Sequence, residues 1–324
     1  MKIAFVQTGK KFSAELFREI SSRLSGHELL LWDNEKEAPA PDLEMVLVMG
    51  KFTRGQMSGQ QKLLLIQTVS AGYDGIDISA ADELGIWVSY APSGLTGNAI
   101  SVAEFAVMLL LGASKHLSQL LQSNRNPTGQ APGITSVLYG KTVCIVGLGT
   151  IGRLLAERLN PFGMQITATD DHPKQVPEGV TVFPAAQLNK ALSGADYVIL
   201  CVRATKENEN LINADTLKVM KRGAVLINIS RGTLIDEEAL FDSLKSGHIA
   251  AAGLDVLREE PADPGNPLLT LPQVLITPHS AGSTDLTLKG MADYAILVIK
   301  AFSSGEKLES LVNHPENPRY LFKA

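Results

Sequence analysis

The sequence has few cysteines, few aromatic residues and no long uninterrupted apolar run. Two cysteines among 324 residues cannot make a disulfide framework, and no further ligands lie near either one for a metal site. Both occur within apolar stretches, so we expect reduced core residues. The longest apolar candidate, 99–111, is interrupted by Ser101 and Glu104. It is too short and too polar to predict a membrane span.

A strong charge of either sign is also absent. Lys and Arg total 29 against 34 Asp and Glu, which gives a formal net charge of −5. This balance argues against nucleic acid or an anionic membrane as a partner. Met1 and Lys2 lead directly into an apolar strand pattern, which is not typical of a signal peptide. We therefore expect a cytoplasmic protein whose partners include small molecules.

A glycine-rich segment directly follows a buried-strand pattern. Residues 143–152 read VCIVGLGTIG, and a helical pattern follows at 154–159. In a G-x-G-x-x-G segment between strand and helix, the first glycine permits a tight turn. The second admits a pyrophosphate, and the third allows close helix packing. The helix N-terminus favours phosphate. We interpret these residues as a dinucleotide site: Gly147, Leu148, Gly149, Thr150, Ile151 and Gly152.

An acidic residue, Asp170, ends the next predicted strand at 165–169. A carboxylate at that position accepts hydrogen bonds from the adenosine ribose and repels a 2′-phosphate. Asp171 would add to this repulsion, so NAD (as NADH) is the predicted cofactor, with NADP left open. Three nearby cationic residues could reverse the preference: His172, Lys174 and Arg203.

Apolar runs alternate with helical patterns along the whole chain. Strands are predicted at 2–7, 28–32, 45–49, 63–68, 87–89, 165–169, 197–202, 224–229, 250–254 and 274–277, and long helices at 98–122 and 283–302. A loop is predicted at 124–133. The predicted fold is α/β, with two doubly wound parallel-sheet domains. A Rossmann cofactor domain, 100–281, is inserted into a discontinuous flavodoxin-like substrate domain formed by 1–99 and 282–324.

Reactive side chains follow three of the later predicted strands: Arg231, Glu260 and His279. In an open α/β sheet, the ligand crevice lies outside the carboxyl ends of the strands. Each residue alone has an ordinary explanation as a surface ion pair, a solvated acid or a loop histidine. Three of them at three strand ends beside a dinucleotide site predict an active site.

These segments together resemble the D-isomer-specific 2-hydroxyacid dehydrogenases. The resemblance rests on the glycine fingerprint, Arg231-Gly232, the sequence DVLREEP at 255–261 and Pro278-His279. SAGYDGID at 70–77 and SVAE at 101–104 are similar to the family's substrate loop and interdomain helix, so the resemblance spans about residues 45 to 300. It implies a homodimer and the reversible reduction of a 2-keto acid to a D-2-hydroxy acid with NAD(P)H.

The chemistry of such a reduction fits the three predicted catalytic residues. His279 would be the general acid in reduction and the base in oxidation, because imidazole titrates near neutral pH. Glu260, if hydrogen-bonded to His279, would favour the imidazolium and fix the ring. The two-pronged guanidinium of Arg231 would bind the substrate carboxylate and carbonyl oxygens.

The resemblance also implies binding roles for other residues. The predicted substrate-binding set comprises Ala71, Gly72, Tyr73, Met49, Lys51, Asn98, Arg231 and His279, with the backbone N–H groups of Ala71 and Gly72 on the carboxylate. The remaining predicted cofactor-binding residues are Ser101, Val202, Arg203, Ile229, Arg231, Asp255 and His279. Two assignments have alternatives: Asp255 contacts the nicotinamide carboxamide or caps a loop, and Asn98 contacts a ligand or caps a helix.

Three segments depart from the family pattern, and one of them, Leu257 in place of phenylalanine, is a conservative packing change. Arg203 stands where many members have proline, and it could stack on adenine, meet a 2′-phosphate or be solvated. Met49 and Lys51 stand where phosphoglycerate dehydrogenases tend to carry arginine, so phosphoglycerate is not the first choice of substrate. The alternative function is a non-catalytic NAD(H)-sensing scaffold of the corepressor type. A formate dehydrogenase is disfavoured, because those enzymes carry glutamine where Glu260 stands.

Overall fold

The computed structural model describes residues 1–7, 9, 11–33, 36–125 and 133–323. Most of the predicted loop at 124–133 lies outside these residues. The chain divides into two compact units, which are described separately below. The first unit is Met1–Asn98 with Ser283–Ala324, and the second is Ala99–Gly282.

The first unit is built on a five-stranded parallel sheet. Its elements are β1 (Lys2–Gln7), α1 (Lys11–Arg23), β2 (Glu28–Asp33), β3 (Met45–Val48), α2 (Arg54–Ser58), β4 (Leu65–Thr68), α3 (Ile78–Glu83), β5 (Trp87–Ser89) and, after the second unit, α10 (Asp285–Ser304). The strand order is β2-β1-β3-β4-β5. This is the flavodoxin-like order, as predicted.

Both faces of this sheet are covered, because successive strand residues point to opposite sides. Ile3 and Phe5 of β1 belong to a core that includes the α10 residues Ile299 and Phe302. The alternate β1 residue Val6 packs in a second core on the other face. The near-continuous apolar strands of the sequence are explained by this double burial.

The second unit is built on a seven-stranded parallel sheet. Its elements are α4 (Asn98–Ser114), α5 (Leu117–Arg125), β6 (Thr142–Val146), α6 (Thr150–Leu159), β7 (Gln165–Thr169), β8 (Val180–Phe183), α7 (Leu188–Ser193), β9 (Tyr197–Leu200), α8 (Ala214–Val219), β10 (Ala224–Asn228), α9 (Glu237–Lys245), β11 (Ile249–Leu254) and β12 (Val274–Ile276). The order is β12-β11-β10-β9-β6-β7-β8. The strand order reverses between β6 and β9, where a doubly wound sheet binds its ligand. The predicted fold class is confirmed.

Two elements differ from the sequence prediction. The single helix predicted over 98–122 is two helices, because His116 between α4 and α5 has φ = 52°. A left-handed residue with a Cβ cannot continue an α-helix. Strand β8 was not among the predicted strands. It is a half-buried edge strand next to β7, and its four residues, VTVF, are typical of a strand.

Candidate functional site

The glycine loop joins β6 to α6 with three distinct local geometries. Gly147 has φ = 98°, and a Cβ built on it would lie 2.7 Å from the nitrogen of Val202. A Cβ on Gly152 would lie 2.2 Å from the carbonyl oxygen of Gly147. Gly149 is the N-cap of α6, and a Cβ there would meet no atom within 4 Å. Two glycines are therefore required by packing, and the third borders open space at a helix N-terminus, which fits a pyrophosphate.

Asp170, directly after β7, is held beside this loop. One carboxylate oxygen accepts a hydrogen bond from the backbone nitrogen of Leu148 at 2.9 Å, and the other accepts one from His172 at 2.8 Å. The neighbouring Asp171 accepts a hydrogen bond from the backbone nitrogen of Ala185 at 2.8 Å. Both negative charges are therefore fixed near the glycine loop by backbone donors.

The predicted cofactor residues beyond β9 and β10 border the same sheet edge. The hydroxyl of Ser230 donates to the carbonyl of Val202, which ties the ends of the two strands together. The carbonyl of Arg203 accepts a hydrogen bond from Asn208 at 2.8 Å. Ile229 is buried. These hydrogen bonds hold the backbone of Val202 and Arg203 in place near the glycine loop.

The turn that carries Arg231 is held from both sides. Asn228, fully buried, donates to the carbonyl of Arg231 at 2.8 Å and accepts from the nitrogen of Ser230 at 3.0 Å. Arg231 Nη1 donates to the Ser230 carbonyl at 2.8 Å. A Cβ on Gly232 would lie 1.9 Å from the carbonyl carbon of Leu257. The turn therefore packs directly against the segment that leads to Glu260.

His279 and Glu260 form a side-chain hydrogen bond. His279 Nδ1 lies 2.7 Å from Glu260 Oε2, and the two side chains are 42% and 35% exposed. Glu260 follows β11 and His279 follows β12, and these strands are neighbours in the sheet. The pair can therefore meet a ligand while each residue holds the orientation of the other.

Asp255 is buried and directed into the loop that carries His279. It is 1% exposed. Its Oδ1 accepts hydrogen bonds from Thr277 Oγ1 at 2.6 Å and from the Ser280 nitrogen at 2.8 Å. Its Oδ2 accepts one from the Ala281 nitrogen at 2.9 Å. The structure therefore gives Asp255 the loop-capping contacts that were one of its two predicted interpretations.

The predicted substrate loop lies in the first unit, after β4. Thr68 Oγ1 donates to the Ser70 carbonyl at 2.9 Å, and Ser70 Oγ donates to the Gly72 carbonyl at 3.2 Å. The rings of Tyr73 and Tyr90 are 5.7 Å apart. These contacts shape the loop that contains Ala71.

The other predicted binding residues lie at strand ends or at the start of a helix. Met49 and Lys51 follow β3, the sheet neighbour of β4. Asn98 is the first residue of α4, and Ser101 lies buried in the next turn. The binding roles of all four residues stay predictions.

Sequence reasoning assigned no role to Asn228 and Thr277 in the second unit, or to Tyr90 beside the predicted substrate loop of the first unit. Asn228 and Thr277 are polar residues at or just beyond the end of a buried strand, and that position was the available signal. Within the described ranges, no group of His, Cys, Asp or Glu residues could hold a metal ion. None of the helices described there has the length and apolarity of a membrane span.

The comparisons with known proteins agree on one family. Residues 107–281 match the model for the D-isomer specific 2-hydroxyacid dehydrogenase, NAD binding domain. A D-3-phosphoglycerate dehydrogenase from Methanocaldococcus jannaschii is 37% identical over 303 residues. That match covers 93% of this chain but only 56% of that protein. A glyoxylate reductase from Pyrococcus horikoshii is 33% identical, with 88% of this chain and 90% of that protein covered.

A solved structure is similar over the whole chain. It is an NADPH-dependent glyoxylate/hydroxypyruvate reductase from Sinorhizobium meliloti in complex with NADP and malonate. It is 31% identical, with a TM-score of 0.83 and coverage of 100% of this chain and 99% of that one. The chain therefore belongs to the D-isomer-specific 2-hydroxyacid dehydrogenase family and is an NAD(P)-dependent 2-hydroxyacid dehydrogenase.

Proposed function

We propose that this protein reversibly reduces a small 2-keto acid to the D-2-hydroxy acid, with NADH as hydride donor. The observation that carries the proposal is the His279–Glu260 pair, 2.7 Å apart. It stands at the ends of two neighbouring strands, and the Arg231 turn follows the next strand in the sheet. A proton donor and an anion-binding fork on one sheet edge are what the reduction of a 2-keto acid requires.

In this mechanism His279 supplies the proton. Because Nδ1 is hydrogen-bonded to Glu260, Nε2 is the nitrogen that would donate to the carbonyl oxygen as the carbonyl carbon is reduced. Bound NADH supplies the hydride. The hydrogen bond to Glu260 fixes the ring plane, and in the reverse direction Nε2 takes the hydroxyl proton back.

Arg231 is proposed to bind the substrate carboxylate and to polarise the carbonyl. A guanidinium presents five N–H donors in a fixed plane that matches a carboxylate. The hydrogen bond from Arg231 Nη1 to the Ser230 carbonyl fixes that plane relative to the backbone. Negative charge developing on the carbonyl oxygen would then be stabilised by a donor already in position.

NADH is the proposed cofactor in preference to NADPH. The carboxylates of Asp170 and Asp171 are fixed by backbone N–H groups, so they cannot easily turn away from a 2′-phosphate. The NADPH-dependent relative from Sinorhizobium meliloti is the reason to measure both cofactors. Arg203 and Lys174 are the cations that would support the opposite preference.

The proposed substrates are small 2-keto acids, such as glyoxylate and hydroxypyruvate. Two similar proteins are named as reductases of these compounds. The backbone of Ala71 and Gly72 is the proposed carboxylate site, on the loop braced by Thr68 and Ser70. Phosphoglycerate is less favoured, because Met49 and Lys51 stand where phosphoglycerate dehydrogenases tend to carry arginine.

The test measures NADH and NADPH oxidation with glyoxylate, hydroxypyruvate, pyruvate, 2-oxobutyrate, phenylpyruvate and 2-ketoisocaproate. We expect turnover of the smaller acids with NADH. His279→Asn should lower kcat by about 10²- to 10⁴-fold with little change in NADH binding. Asparagine is chosen because it tolerates the φ of 52° at this position. NADH binding with no turnover of any acid would contradict the proposal and favour the sensing scaffold.

We also propose that the protein is a homodimer. An apolar groove opens on the surface of the second unit, along α4 and the start of α5, lined by Glu104, Val107, Met108, Leu111, Gly112, Lys115 and Leu117. The segment 133–139, with three exposed apolar side chains, is tied beside it by a hydrogen bond from Lys115 to the Ser136 carbonyl. A surface of this kind is typical of a protein interface.

Light scattering after size exclusion tests the homodimer. We expect the wild type to have twice the chain mass and Met108→Glu to have the mass of one chain. Val176→Glu, a change at an exposed apolar residue outside the groove, is the control and should leave the mass unchanged. A dimeric Met108→Glu variant would contradict the use of this groove.

A further inference from the structure

We propose that Thr277 and Asp255 are positioning residues that hold His279 in its working geometry. This inference rests on the proposed function of His279 as proton donor. It differs from a cofactor role for Asp255, because it assigns the carboxylate to the histidine loop. It also assigns a role to Thr277, which precedes the histidine by two residues.

Three successive backbone N–H groups are directed at Asp255. The nitrogen of His279 donates to the carbonyl oxygen of Asp255 at 2.8 Å. The nitrogens of Ser280 and Ala281 donate to its two carboxylate oxygens at 2.8 and 2.9 Å. A single residue therefore accepts hydrogen bonds from every backbone N–H of the segment 279–281.

These hydrogen bonds stabilise an unusual backbone conformation at His279. His279 has φ = 52°, a conformation that residues with a Cβ rarely adopt unless the surroundings impose it. The nitrogen of His279 also lies 3.0 Å from the Thr277 carbonyl. Contacts on both sides of the residue therefore hold the backbone in this conformation, and the ring reaches Glu260 from it.

Thr277 is the side chain that holds the Asp255 carboxylate in place. Its Oγ1 donates to Asp255 Oδ1 at 2.6 Å, the shortest of the three hydrogen bonds to that carboxylate. Since Asp255 is 1% exposed, water cannot readily replace a lost donor. Removal of the hydroxyl should leave the carboxylate under-satisfied and free the 279–281 backbone to relax. The His279–Glu260 contact of 2.7 Å would then be lost or lengthened.

The test compares Thr277→Val, which removes the hydroxyl with little change of shape, with Thr277→Ser, which keeps it. We expect Thr277→Val to lower kcat by about 10- to 100-fold, the range for losing a hydrogen bond to a charged group. The KM for NADH should change by less than about threefold, because the glycine loop is untouched. Thr277→Ser should restore most of the wild-type kcat. Thr270→Val, at an exposed threonine whose hydroxyl donates to the backbone carbonyl of Pro267 and not to a carboxylate, is the control and should behave as wild type.

A second readout does not depend on catalysis. The Nδ1 proton of His279, identified by its loss in His279→Asn, should give a downfield NMR signal in the wild type and in Thr277→Ser. We expect this signal to weaken or move upfield in Thr277→Val. If the valine variant does not fold, as judged by circular dichroism, Thr277→Ala takes its place in both measurements.

The outcomes separate this inference from the proposed function. A wild type that turns over no 2-keto acid refutes the proposed function, while the NMR comparison still tests the positioning of His279. An unchanged signal in Thr277→Val, or a kcat within twofold of wild type, would overturn the inference. A serine variant as impaired as the valine variant would do the same, because the hydroxyl would then not be the relevant group.

Discussion

The three glycines of the 147–152 loop should respond differently to the same substitution. Gly149→Ala adds a methyl group where no atom lies within 4 Å, at a residue with φ = −71° that alanine adopts readily. Gly152→Ala adds it 2.2 Å from the carbonyl oxygen of Gly147. Gly149→Ala places a methyl group in the space proposed for a pyrophosphate, whereas Gly152→Ala disturbs the packing of the backbone.

The size of each effect follows from these contacts. At Gly149, loss of a favourable N-cap residue costs a few tenths to about 1 kcal/mol, and a less flexible unfolded chain returns about 0.4–1 kcal/mol, so the net change in stability is near zero. At Gly152, backbone overlap should cost about 3 kcal/mol. For a unit of this size, that loss lowers Tm by about 6–12 °C.

The two variants should differ in opposite ways in NADH binding and in stability. Gly149→Ala should weaken NADH binding, whereas Gly152→Ala should lower stability. A methyl group at Gly149 should displace one charge-assisted phosphate contact, worth about 1.5–3 kcal/mol. The Kd for NADH then rises by about 10- to 150-fold. Thermal unfolding monitored by circular dichroism and NADH fluorescence titration measure the two effects. A Gly149→Ala variant that binds NADH like the wild type would refute the assignment, as would one that loses as much Tm as Gly152→Ala.

Three further predictions concern other side chains. Arg231→Lys should lower kcat/KM for a 2-keto acid by at least about tenfold, because lysine lacks the planar guanidinium. Steady-state kinetics measure this change. An unchanged kcat/KM would show that the guanidinium of Arg231 is not needed in the mechanism. Asp170→Asn should reduce the preference for NADH over NADPH by about five- to tenfold, since a repulsion of about 1 kcal/mol is removed; the ratio of the two kcat/KM values measures it, and an unchanged ratio would assign the preference elsewhere. Burial raises the pKa of Cys144 to about 11 and that of Cys201 to about 12. Few thiolates therefore exist at pH 8, and labelling with a disulfide reagent should be slow until the protein is unfolded; fast labelling of the native protein would contradict this.

The sheet architecture could be predicted because it is encoded locally and repeatedly. Each buried strand is a short apolar run, and the G-x-G-x-x-G segment marks where the second sheet begins its first crossover. The predicted strand at 165–169 matches β7 for this reason. The edge strand β8 escaped prediction because it is buried on neither face completely. Its four residues, VTVF, are nevertheless strand-forming, so the sequence signal was present but short.

The break between α4 and α5 shows a different limit. Apolar residues continue at helical spacing from Leu110 to Leu117, and the basic pair Lys115-His116 is only a weak helix stop signal. The positive φ of His116 is uncommon for a residue with a Cβ, although histidine adopts it more often than most. It depends on how the surrounding chain packs, and a local sequence pattern does not carry this information.

Asp255 shows why a residue type alone could not settle a role. An aspartate directly after this strand could cap a loop or contact a nicotinamide carboxamide. Both roles require only a side chain that accepts hydrogen bonds from N–H groups. The structure shows how many hydrogen-bond donors already bind the Asp255 carboxylate. Of about four acceptor positions on a carboxylate, three are occupied by Thr277, Ser280 and Ala281, and the residue is 1% exposed. A ligand amide would have to compete for the fourth position from outside a closed loop. The loop-capping hydrogen bonds are therefore present in the structure, whereas the nicotinamide contact of Asp255 stays a prediction.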